Sequence, residues 1–152
     1  MRHARLWIIA ASAMLAPNGL SAAEPLLLVT EEELQASMAA PEPLFPRFTP
    51  EPGAPRILVE APKLNASLPS PIAMKLRFQA ADGTSIRPET FKVRYGSLRI
   101  DITARITGST TVTAEGLEIS QAALPKGKHK IIIAVEDAAG RLNERPLQFE
   151  II

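Results

Sequence analysis

Residues 129–136, HKIIIAVE, constrain the fold more than any other stretch. Ile131, Ile133 and Val135 alternate with Lys130, Ile132 and Ala134, so both faces are largely apolar in the middle. Side chains alternate faces along a strand, and β-branched residues fit a pleated surface better than a helix. The run therefore predicts a central strand, one face in the core and the other partly covered. Turn chemistry brackets it. Pro125 and Gly127 precede it, and Asp137 and Gly140 follow. Proline fixes φ, glycine accepts φ > 0, and aspartate bonds its own backbone.

The same period of two recurs through the last hundred residues. Ile57 and Val59 predict an edge-like first strand. Ile72, Met74, Leu76, Phe78 and Ala80 alternate with Lys75, Arg77 and Gln79 in the cleanest pattern of the chain. Asp82, Gly83 and Thr84 make a turn. Phe91, Val93 and Tyr95 then lead through a Gly96-Ser97 hairpin to Leu98, Ile100 and Ile102. Residues 104–113 read as a weaker strand and loop, 116–120 as a strand, and 120–124 as a helical turn. Leu147, Phe149 and Ile151 face inward on the last strand. Seven or eight short strands with turns between them predict an all-β, antiparallel sandwich. The chain has no cysteine, so this core has to hold without a disulfide.

The order Leu124-Pro125-x-Gly127-x-His129, an alternating strand, Asp137-x-x-Gly140 and a final strand through Phe149 resembles the last two strands of bacterial immunoglobulin-like domains. The likeness runs more loosely back to about Arg56. It implies an immunoglobulin-like sandwich over residues 55–152, with Leu124 plugging its end. It implies little about function, since such sandwiches host many unrelated roles.

Residues 1–23 read as a secretory signal. Arg2 and Arg5 precede ten apolar residues, 6–15, too few to span a bilayer, and Ser21-Ala22-Ala23 offers small residues for cleavage after Ala23. The expected mature protein is periplasmic or secreted.

Residues 24–54 read as an acidic, proline-rich tail or linker with a short helix at 31–40. Thr30 and Glu33 have the spacing of a capping box, and Pro41 ends the helix. Six prolines in residues 41–55 predict an extended strap. Leu44, Phe45 and Phe48 are bulky apolar groups in that strap and are the candidate binding residues.

The chemical inventory is thin. Beyond the signal the one histidine is His129, flanked by Lys128 and Lys130, and its expected role is an end-of-strand bond to the preceding turn. No catalytic triad, zinc site or phosphate loop can be assembled. Asp82, Asp101, Glu136 and Asp137 sit at loop ends, where backbone bonding explains them as well as calcium does. Four of the six remaining aromatics, Phe78, Phe91, Tyr95 and Phe149, fall at inward positions, which leaves few platforms for sugars. Residues 24–54 carry a net charge of −5 and residues 55–152 a net of +4. That excess is too weak for nucleic-acid binding. Lys75, Arg77, Lys92 and Arg94 allow at most a peripheral contact with anionic membranes.

The expectation is a non-catalytic, cofactor-free binding or assembly module whose partner is another envelope protein. The alternative is a small enzyme or enzyme accessory domain using loop carboxylates such as Asp82, Asp101 or Asp137, with calcium as a further option.

Overall fold

A computed structural model describes residues 23–42, 48–64 and 66–152. The signal-like residues 1–22 and the candidate anchors Leu44 and Phe45 lie outside the described residues.

The chain forms an all-β sandwich of two sheets. Its elements are β1 (Leu26–Leu27), α1 (Glu31–Ala39), β2 (Arg56–Ala61), β3 (Ser67–Leu68), β4 (Ile72–Gln79), β5 (Ile86–Tyr95), β6 (Ile100–Asp101), α2 (Thr103–Thr107), β7 (Gly116–Ala123), β8 (Gly127–Asp137) and β9 (Leu142–Ile151). One sheet has the order β1-β7-β4-β2, the other β3-β9-β8-β5-β6. Pairing is antiparallel except for two short edge additions, β1 on β7 and β3 on β9.

The predicted central strand is β8, which pairs with β9 on one side and β5 on the other. Its Ile131, Ile133 and Val135 are buried, as are Ile72, Met74, Leu76 and Phe78 of β4 and Leu147, Phe149 and Ile151 of β9. Phe78 and Phe91 meet between the sheets with ring centroids 6.0 Å apart. Burying a side chain of this size stabilises by roughly 1.5–3 kcal/mol. The four aromatics expected to point inward are all buried, and Leu124 is buried at the end of the sandwich.

Three local expectations are overturned. Residues 104–113 do not begin as a strand: Asp101 Oδ1 accepts from the Thr103 amide at 2.9 Å, and that turn starts α2. Ile102 and Ile106 stay buried in the new geometry, so the core accepts a helix where β-branched residues suggested a strand. Leu98 is exposed within the turn that follows β5, and β6 is only two residues long. Residues 120–124 are not helical, because β7 continues to Ala123. Ala122, fully buried, pairs with both Ile72 and Leu26, and a small residue suits a strand with neighbours on both sides.

Residues 26–39 lie on the sandwich, where the sequence suggested a tail or linker. β1 extends the first sheet, and Leu28, Val29 and Leu34 are buried. The strap then ends against the second sheet, where Asn143 Nδ2 donates to the Pro55 carbonyl at 2.8 Å. β2 forms the predicted edge strand beside β4.

Candidate functional site

The N-terminal segment brings α1 to one end of the sandwich. Thr30 and Glu33 form the predicted capping box: the Glu33 amide donates to Thr30 Oγ1 at 3.2 Å, and the Thr30 amide donates to Glu33 Oε2 at 2.9 Å. The same carboxylate is gripped by Arg105 of α2 at 2.8 and 2.5 Å, and Arg105 also donates to the Leu28 carbonyl at 2.7 Å. Arg105 and the Thr30 amide hold the Glu33 carboxyl down at about 2, against the opposing effect of burial. Further along the helix, Ser37 Oγ accepts from the Ser97 amide at 2.9 Å. Gly96 has φ 66°, and a Cβ there would run into the Ser37 side chain. Glycine thus allows helix and turn to close on each other.

Beneath α1 lies a buried polar cluster. His129 is 2% exposed, and its Nε2 lies 2.8 Å from the Pro125 carbonyl, its Nδ1 3.0 Å from the Tyr95 hydroxyl. A carbonyl only accepts, so Nε2 carries the proton and Nδ1 accepts from Tyr95. The ring stacks on Phe149 at 5.6 Å. Burial holds the imidazole below its ordinary value, against smaller opposing effects from Pro125 and Glu31. Burial, with Glu33 and Glu31, pushes the Tyr95 hydroxyl up to about 12. Both ring nitrogens serve the fold, as the sequence suggested for this end-of-strand position.

Outside that cluster is an open groove of about 640 Å³. Its floor is the outer face of β8 and β9. Lys128 and Lys130 alternate with buried His129 and Ile131, and register sets them opposite Glu150 and Gln148. Ser37, Met38 and Ala40 form one wall; Ala66 and Ser67, at the start of β3, with Ser97 after β5, complete the rim. Met38 is 65% exposed. Glu42, just past the helix, reaches Lys130 at 3.4 Å. Among the described residues the groove's lining is neutral and amphipathic: two ammoniums, two carboxylates, hydroxyls and a thioether.

The other candidates are dispersed. Phe48 is 42% exposed in the strap. Asp137 is fully buried, and its carboxylate accepts from the Ala139 and Arg141 amides and from the Arg141 guanidinium. Burial pushes that carboxyl up, but the bonds from Arg141 and Ala139 outweigh it and keep it below the usual range. Asp82 lies with Arg141 at a shallow pocket of about 380 Å³, Asp101 serves the start of α2, and Glu136 faces Arg87 at 3.7 Å. Among the described residues no group of three or more His, Asp or Glu side chains is placed to hold a metal ion. Lys75 and Arg77 both pair with Glu60, and Arg94 pairs with Glu144. Much of the suspected basic surface is thereby matched by acids.

No family model matches the chain. No curated protein sequence matches it either. Among solved structures it is similar to the crystal structure of CopC from Methylosinus trichosporium OB3b, at 14% identity and a TM-score of 0.43, over 63% of this chain and 93% of that one.

Proposed function

We propose that the chain is an exported, non-catalytic binding module of the cell envelope and that the groove beside α1 is its ligand site. The observation that carries this reading is the groove itself. Its roughly 640 Å³ lie on a floor of paired strands, lined by exposed Lys128, Gln148 and Glu150 and by the most exposed large apolar side chain of α1, Met38. Exposed apolar area beside convergent polar groups is the usual composition of a recognition site. The use of both His129 nitrogens within the fold supports a binding role over an acid–base one.

Export rests on the leader-like residues 1–23, and the expected cleavage after Ala23 falls just ahead of β1 at Leu26. We read the sandwich as immunoglobulin-like, on the motif from Leu124 to Gly140. The partner we propose is another envelope protein. Leu44, Phe45 and Phe48 remain proposed anchors for it, supported by the exposure of Phe48.

Site-specific photo-crosslinking in cells tests the reading. A crosslinker at Met38 should capture a discrete partner, and Lys130→Glu should abolish that capture. A crosslinker at Glu118, exposed on β7 of the opposite sheet, should capture none. Equal capture at both positions, or none at Met38 in a properly exported protein, overturns the groove as the site.

A further inference from the structure

We infer that the groove takes an extended, carboxylate-bearing peptide segment, and that Glu42 of the chain's own strap holds the anion position until such a segment displaces it. This rests on the binding-module reading and names the class of ligand for that site.

Charge is the first argument. Among the described residues four charged side chains line the groove: Lys128, Lys130, Glu42 and Glu150. Lys128 and Glu150 are cross-strand partners, but Lys130 stands opposite neutral Gln148. The carboxylate that meets Lys130 is Glu42, delivered from outside the sheet. When Glu42 leaves, the lining holds one more cation than anion. An incoming carboxylate restores the balance, so the exchange conserves charge.

The second argument is how loosely Glu42 is held. The ion pair measures 3.4 Å, and the Glu42 side chain is 77% exposed while that of Lys130 is 33% exposed. An exposed pair of this length contributes little and exchanges readily. By contrast, Glu33 is held at two points by Arg105, so α1 keeps its place when Glu42 lets go of Lys130.

Shape is the third. Ala40 leaves α1 with φ −73° and ψ 142°, a polyproline-like step, and Pro41 follows, so Glu42 comes two residues after the helix gives way to extended chain. The groove therefore already accepts a carboxylate from extended chain. Ser67, Ser97 and Gln148 offer polar groups to a peptide backbone, and Met38 offers an adaptable apolar contact.

The test uses the full mature chain and a short, end-blocked, fluorescein-labelled peptide of alternating proline and glutamate, with its glutamine counterpart as control. Fluorescence anisotropy should show the glutamate peptide binding and the glutamine peptide binding more weakly. Glu42→Gln should tighten the glutamate peptide about 2–5-fold by removing the competitor, and Lys130→Gln should weaken it by about 5-fold. Thermal melts of each variant check that the sandwich is intact. Equal binding of both peptides, lost together in Met38→Trp, overturns the carboxylate assignment while the groove reading survives. Unchanged affinity in Glu42→Gln overturns the displacement. Absence of binding to an intact chain overturns the inference outright, and the crosslinking result then decides the binding-module reading by itself.

Discussion

Glu33 and Arg105 join the start of α1 to α2 through a two-point ion pair across 72 residues of sequence. Its parts have separate origins: Glu33 completes a capping box, and Arg105 faces it because residues 103–107 are helical. The pair is mostly shielded, with side chains 19% and 35% exposed. Glu33→Gln should destabilise the protein by about 1–2 kcal/mol after allowance for solvent screening. The pH dependence has a definite sign. The folded carboxyl titrates at about 2 and the ordinary value is 4.5, so its stabilisation is complete above 4.5 and is lost as pH falls toward 2. Urea melts between those limits should fall more steeply for wild type than for Glu33→Gln. Parallel curves would show that the clasp contributes nothing.

Leu34 is 1% exposed, and its Cδ2 sits 3.2 Å from where a Cβ on Gly127 would stand. Together with Leu28 and Val29 it makes residues 26–39 part of the core. Leu34→Ala should cost about 2–5 kcal/mol. A chain begun at residue 41 should melt far lower than the chain begun at residue 24, or fail to fold. A truncated protein with an unchanged melting temperature would return this segment to the status of a tail.

The elements legible in the sequence are those whose burial follows a local period. β4 and the second half of β9 alternate cleanly, β8 carries β-branched residues at its inward positions 131, 133 and 135, and the structure buries these expected residues. The Thr30 capping box was equally readable, since its partners are three residues apart. α2 was not, because Thr103, Ile106 and Thr107 have strand propensities and tertiary packing overrode them. β1 is two residues long and gains meaning only beside β7. The groove was hidden for a similar reason. Lys128 and Lys130 stand in the sequence as flanks of His129, but β-sheet register sets Glu150 and Gln148 opposite them, Ser37 arrives from α1 and Ser97 from the turn after β5. No linear spacing encodes that meeting.

Buried His129 gives the fold a second acid-sensitive point, at higher pH than Glu33. Its imidazole is held below the ordinary 6.5, so the fold favours the neutral ring. The stabilisation is complete above about 6.5 and is lost as pH falls, with a slope no greater than about 1.4 kcal/mol per unit for one group. Protonation would also turn Nδ1 into a donor facing Tyr95, whose own proton now points at it. His129→Gln removes the titration. The stability difference between wild type and this variant should shrink from pH 7 to pH 5. A difference that is constant over that range would show that the ring does not titrate there.

Gly116 begins β7 with φ 141°, a conformation that side chains rarely adopt. A Cβ there would collide with the Leu76 carbonyl on β4, which is backbone and has little room to give. Gly116 is also paired with Arg77, and its carbonyl accepts from the Thr113 amide at 2.9 Å, so the turn before β7 depends on its position. Gly116→Ala adds backbone strain and a steric clash together, and should cost about 2–4 kcal/mol. Gly83, with φ 79° and nothing near its absent Cβ, supplies the control: Gly83→Ala carries the backbone strain alone and should cost about 1 kcal/mol. Chemical denaturation of the two variants separates the contributions. If Gly83→Ala proved as damaging as Gly116→Ala, close packing of β7 on β4 would not be what requires glycine at position 116.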